Sequence, residues 1–168
     1  MRISHARRVW RHAVTDHHSV RRAFPAATLA AIEQAIADGE RLHRGQLCVA
    51  IEAALPPARV LRRVTPRERA LEVFGLLRVW DTEENGGVLL YLLLADQDVE
   101  IVADRGIDRL APAGTWQEVC SVLETQFRAG RYGEGVVEAI RRVSAVLATH
   151  FPRTGDGPNE LPNRPALL

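Results

Sequence analysis

Eight consecutive residues, Val88 to Ala95, are apolar without interruption. The run is far too short to cross a membrane, and Gly86-Gly87 before it and Asp96 after it mark its ends. A run of this kind reads as a strand covered on both faces, because a strand with one wet side would alternate. It is therefore the expected central strand of a layered domain. Asp96 and Gln97 supply a short turn into Val99–Ala103, which predicts an antiparallel hairpin.

The rest of the chain supplies the layers. Pro25 to about Arg44 reads as an amphipathic helix, with Leu29, Ile32, Ala35, Ile36 and Leu42 on one side. Gly45 then opens a β run, Gln46 to Ala54, closed by Pro56 and Pro57. Thr65, Pro66 and Glu68 carry the signature of a capping box with a first-turn proline. A third helix is expected from a second box, Thr115 to Glu118, to about Ala129, and a fourth from Tyr132 to about His150. This α, β, α, β, β, α, α order predicts an α/β fold, a three-layer α/β/α sandwich around a central mixed sheet in a single domain. At 168 residues the chain suits one such core. Residues 153–168, rich in proline and glycine, read as a disordered tail.

Composition narrows the function. All 22 basic residues are arginine, so there is no Walker-type phosphate lysine, no pyridoxal Schiff base and no kinase strand lysine. The 21 acidic residues nearly balance them, which argues against a nucleic-acid binder relying on phosphate neutralisation. Cys48 and Cys120 lie in apolar surroundings without Cys-x-x-Cys spacing and read as reduced, packed thiols. With no membrane-span signal and no secretory leader, the expected location is cytoplasmic. Residues 1–24 form a basic N-terminal arm, Arg2, Arg7, Arg8, Arg11, Arg21 and Arg22 against Asp16 alone. It reads either as a frayed helix laid on the domain and dispensable for folding, or as a contact with an anionic membrane or a protein partner.

Chemistry concentrates between residues 81 and 108, where eight acids, Asp81, Glu83, Glu84, Asp96, Asp98, Glu100, Asp104 and Asp108, accompany Arg105 as the only base. The hairpin returns Asp104 beside the Asp81–Asn85 segment and leaves Asp96 and Asp98 at the opposite end. Oxygen ligands gathered on loops at a sheet edge suit calcium or magnesium; the alternative is a solvated acidic face. Asp96-Gln97-Asp98-Val99 mimics the nucleophile motif of haloacid-dehalogenase-type phosphatases, but the next strand follows without room for a helical crossover. There is no Gly-x-Ser-x-Gly, and Gly130, Gly133 and Gly135 lie between helices, with Glu138 where a dinucleotide fingerprint needs glycine.

Three segments carry a resemblance: Gly45 to Glu52; Thr82 followed by Gly87 to Leu92; and Ala103-Asp104-Arg105-Gly106-Ile107-Asp108, with Trp116 and Phe151-Pro152 in support. From about Ala26 to Pro152 the chain resembles the TPM domain in a short cytosolic bacterial form. The resemblance implies an α/β/α sandwich, divalent-cation binding in an acidic crevice and a disputed phosphatase label. Asp104 and Asp108 match the family's positions, Asp81 neighbours them, and Glu52 matches too, although a parallel first strand puts it at the far end of the sheet. The family pattern has Glu where this chain has Gln46 and Asn where it has Gly86, with Asn85 one residue away. The expected function is a cation-binding interaction module, with calcium or magnesium as cofactor and an unknown, membrane-associated protein partner. The alternative is a weak metal-assisted phosphatase acting on phosphomonoesters.

Overall fold

The computed structural model describes residues 4–155 and 158–168. Arg2 and Ile3 of the expected arm, and Asp156 and Gly157 of the expected tail, lie outside the described residues. Eight helices are present among the described residues: α1 His5–Val14, α2 His17–Ala23, α3 Ala26–Glu40, α4 Pro57–Leu61, α5 Pro66–Leu76, α6 Arg105–Asp108, α7 Thr115–Arg128 and α8 Tyr132–His150. Strands β1 Gln46–Glu52, β2 Gly87–Leu93, β3 Asp98–Ala103 and β4 Ala166–Leu167 form one mixed sheet in the order β3-β2-β1-β4.

Every residue of β2 is buried, as its unbroken apolar run requires. It pairs parallel with β1, Gln46 opposite Gly87 through Glu52 opposite Leu93. On its other side it pairs antiparallel with β3, Val88 opposite Ala103 through Leu93 opposite Asp98. The period of two sorts side chains onto two cores. Val88, Leu90 and Leu92 face a layer that includes Ile36 of α3, Leu123 of α7 and Ile140 of α8. Leu89, Tyr91 and Leu93 face Val60 of α4 and Ala70 and Val73 of α5. The result is the expected α/β/α sandwich. Cys48 and Cys120 are unbridged and sit in different layers, their thiols pushed up to about 11 and about 12 by burial.

The structure corrects three expectations. The tail from residue 153 is structured over its described residues: Ala166 and Leu167 pair parallel with Ala50 and Ile51, Leu161 is buried, and Gln46 Oε1 accepts the backbone N–H groups of Glu160 and Leu161 at 3.0 and 3.1 Å. Composition failed there because a few apolar residues suffice when an open sheet edge waits for them. The capping box at Thr115 does not form; α7 begins after Gly114 in a left-handed conformation, and Thr115 Oγ1 donates to the Pro112 carbonyl at 2.7 Å. At Thr65 and Glu68 the box is made as expected.

The arm is the third correction. Val20 and Phe24 are buried in the core, and His12 Nδ1 accepts the Leu55 N–H at 2.9 Å. Because that nitrogen is an acceptor, Nε2 carries the proton and donates to Asp96 Oδ1 at 3.1 Å. Arg8 binds the same carboxylate with Nε and Nη2 and also donates to the Val64 carbonyl at 2.8 Å. Burial alone would raise Asp96, but the hydrogen bonds and charges of His12 and Arg8 hold it below the usual carboxylate range. Deleting residues 1–22 removes Val20 and strips Asp96 of both partners, so the melting temperature should fall by on the order of 10 °C. A truncation that melts with the full chain would show that α1 and α2 add nothing to the fold.

β3 is an edge strand, and its charges guard it. Arg67 donates to the outward carbonyl of Ile101 at 2.5 Å. Asp98 is pushed up to about 7 by burial and by the neighbouring Glu100, Glu124 and Asp96. The folded protein thus keeps a proton that the unfolded chain releases above about pH 4, and stability falls as pH rises through that window to about 7. His43, held down to about 4 by burial, acts in the opposite sense between about pH 4 and 6.5, so the comparison with a variant isolates Asp98. Asp98→Asn should raise the melting temperature by several degrees at about pH 8 and by about a third as much at about pH 5, about one pH unit into the window. Melting curves of both proteins at the two pH values check this; an equal shift at both would rule out titration as the cause.

Candidate functional site

The antiparallel turnback of β3 delivers Asp104 to the mouth of β2, where its N–H donates to the Gly87 carbonyl at 2.8 Å. Asp104 then caps α6, with Oδ1 accepting the Arg105 N–H at 2.7 Å. Its second oxygen, Oδ2, is buried and has no hydrogen-bond partner. An orphaned carboxylate oxygen at such a position is costly and calls for a donor or a cation.

The opposite wall of this corner is the turn that enters β2. Asn85 takes a left-handed conformation, φ 53°, and the turn is pinned by the Gly86 N–H on Thr82 Oγ1 at 3.1 Å. It presses against α6 so closely that a Cβ on Gly106 would lie 2.4 Å from the Asn85 carbonyl oxygen and 2.7 Å from that of Glu84. Only glycine permits that approach. Neither carbonyl accepts a hydrogen bond among the described residues. Asp108 stands one turn beyond Asp104, exposed, with Oδ1 accepting the Trp116 indole N–H at 3.1 Å. α6 and the turn packed against it thus carry one orphaned carboxylate oxygen, two carbonyl oxygens without hydrogen bonds and a second, exposed carboxylate, the kinds of hard oxygen donor that calcium takes. Among the described residues no group of three or more carboxylate, imidazole or thiolate side chains is placed to hold a metal. Any cation here would rest on backbone as much as on side chains.

The other two expected ligands lie elsewhere. Glu52 is at the far end of β1, opposite Leu93, whereas Asp104 adjoins Gly87 at the near end. Its carboxylate is fully engaged: Arg69 Nε and Nη2 donate at 2.9 and 3.1 Å, and the Tyr91 hydroxyl donates at 2.6 Å. Burial and the Glu52 hydrogen bond together push the Tyr91 phenol far up, so it remains a donor. Glu52 is thus the buried counter-ion of the half-buried Arg69 and has no free oxygen pair for a metal. Asp81 is exposed and paired with Arg78 three residues earlier, itself stacked 6.0 Å from the Trp80 ring.

At the other end of the hairpin, Asp96 is clamped by Arg8 and His12, which leaves no free carboxylate for the nucleophilic role its motif mimics. One polar pair had no signature in the sequence. His43 is fully buried and donates from Nδ1 to the Gly45 carbonyl at 2.9 Å, so its unpartnered Nε2 is an acceptor. The unpartnered Ser144 hydroxyl of α8 and the His43 ring both lie against Gly39 of α3, and Ser144 and Gly39, but not His43, line a groove of about 460 Å³. Gly39 and His43 are four residues apart, but Ser144 comes from the far end of the chain, and only the α3–α8 packing brings it to them. The Glu84 and Asn85 carbonyls were equally invisible, since a backbone oxygen has no residue type; Gly106 between Asp104 and Asp108 is the one hint.

The model of the TPM domain family matches residues 20–146. Among solved structures, the BA42 protein of the psychrophilic bacterium Bizionia argentinensis is 28% identical, with a TM-score of 0.76 over 86% of this chain and 94% of that one. The N-terminal domain of a P. gingivalis protein shares the fold at 19% identity and a TM-score of 0.60, over 77% of this chain and 82% of that one. No curated protein matches. The family match runs from α2 well into α8 and takes in the whole Asp104 corner: this chain belongs to the TPM domain family.

Proposed function

We propose that this protein is a divalent-cation-binding interaction module, with calcium or magnesium held at the corner between the Thr82–Gly87 turn and α6. The observation that carries this reading is the buried, partnerless Oδ2 of Asp104, the cap of a helix against whose Gly106 the Glu84 and Asn85 carbonyls press without a hydrogen bond of their own. Asp108 would serve as the outer carboxylate. A bound dication would neutralise Asp104 and tie the turn to α6, ordering a surface on which Asp108, Trp116 and the half-exposed Leu110 could meet a protein partner. Calcium suits a set of mixed carbonyl and carboxylate oxygens better than magnesium, which demands near-octahedral geometry. The phosphatase alternative has less behind it. Arg105 is the only base in the acidic segment, and no described side chain stands by the corner as a placed general base.

An ion at about 100 times its dissociation constant stabilises the native state by roughly 2.7 kcal/mol. For a domain of this size the melting temperature should rise by about 5–10 °C. Asp104→Asn should melt at or slightly above the wild-type temperature in chelator, since it relieves an uncompensated buried charge, and should respond little to ion. Glu52→Gln is the contrasting control: it breaks the Arg69 pair and should cost about 3–5 kcal/mol while keeping the full ion response. The measurement is a melting curve of the three proteins in chelator and in calcium or magnesium at fixed ionic strength. A wild-type shift under about 1 °C with either ion would remove the cation site.

A further inference from the structure

We propose that α1 and α4 together form a docking face for an anionic phospholipid bilayer, independent of the Asp104 corner. No described helix is long and apolar enough to cross a membrane, so the contact is peripheral. The face is built from two stretches of chain that lack acids altogether. None occurs before Asp16, and that carboxylate is used as the cap of α2; none occurs between Glu52 and Glu68. The fold brings these stretches into contact, α1 against α4.

The internal face of α1 is fixed. Arg8 and His12, one turn apart, are clamped on Asp96, and Val9 packs against the core below. Arg7, Trp10 and Val14 follow at helical spacing on the side turned away, which the burial pattern leaves open. Trp10 is 64% exposed and Val14 52%. On α4, Leu61 is 64% exposed and is followed by the exposed Arg62 and Arg63. Arg7, Arg62 and Arg63 have no salt-bridge partner among the described residues, whereas Arg8, Arg59 and Arg67, on the same two stretches, each have an acid.

Unpaired guanidinium groups beside exposed tryptophan, leucine and valine are the chemistry of a bilayer interface. The charges meet anionic headgroups, and the apolar side chains enter the boundary with the acyl chains. Nucleic acid would be served by the arginines but would leave Val14 and Leu61 without a partner. Anchoring by Arg8 and His12 matters because it holds the α1 backbone in place, so that binding orders only the exposed side chains of the face.

The test is sedimentation of the full chain with vesicles at low salt, comparing pure phosphatidylcholine with an equal mixture of phosphatidylcholine and phosphatidylserine. Wild type should bind the mixed vesicles and not the neutral ones. Each headgroup-facing arginine should contribute on the order of fivefold, so Arg7→Gln with Arg62→Gln should weaken binding roughly thirtyfold. Arg128→Gln with Arg142→Gln, on helices of the opposite layer, changes the net charge equally and should bind like wild type. Trp10→Ser should lose binding with its charge intact. All three variants alter exposed side chains, and unchanged melting curves confirm that they fold. The proposal fails if wild type does not prefer the mixed vesicles, or if the two double variants weaken alike. It also fails if Trp10→Ser binds normally and duplex DNA competes the vesicles off, which would make the face a nucleic-acid contact.

Discussion

Burial of β2 on both faces is the constraint from which the rest of this structure follows. A strand with no wet side needs a neighbour on each edge and a layer on each face, so the chain must supply helices to two cores at once. β2 carries one polar atom into that interior, the Tyr91 hydroxyl, and it must be satisfied there. Glu52 accepts it. A buried carboxylate in turn needs a cation, which Arg69 of α5 provides in bidentate form. The interior demand of one tyrosine thus occupies an acid that a pattern of ligands would assign to metal.

The two ends of the sheet have different chemistry for the same reason of accounting. At the end where β1 and β2 finish, Glu52 has Arg69 and Tyr91, Asp96 has Arg8 and His12, and Asp98 meets its burial by holding a proton up to about pH 7. At the other end Asp104 is brought in by the antiparallel return of β3, and the nearest base in sequence, Arg105, contributes only its backbone N–H. Oδ2 is therefore the carboxylate oxygen left over. The Glu84 and Asn85 carbonyls are left over too, because the turn spends its hydrogen bonds on Thr82 and on the ends of β1 and β3.

Both chain ends behave as structural parts. Val20 of α2 and the following Phe24 pack into one core, Val9 of α1 packs against the other, where His12 accepts from Leu55, and the C-terminal segment adds β4 to the exposed edge of β1. Gln46 accepts two N–H groups of that segment. This gives the departure from the family's glutamate at this position a physical role, since a neutral amide oxygen accepts them without placing a charge in a buried site.

The sequence by itself determined the central strand, the hairpin, the major helices and the sandwich, because each rests on local periodicity or on a run too apolar to face water. It determined the Thr65 cap, whose geometry is settled within one turn, and it brought Asp104 and Asp108 forward through the spacing around Gly106. Only the tertiary structure decided which acids are free. Glu52, Asp96 and Asp104 are alike as carboxylates, and their difference lies in whether an arginine from another part of the chain reaches them, or none does; Asp81 has a local partner in Arg78. It also decided that Thr115 would not cap a helix, that a proline-rich end would pair as a strand, and that His43, Gly39 and Ser144 would meet. The last two depend on packing partners far away in the chain, which have no local signature, while Thr115 is turned aside by the left-handed Gly114 and the Pro112 carbonyl beside it.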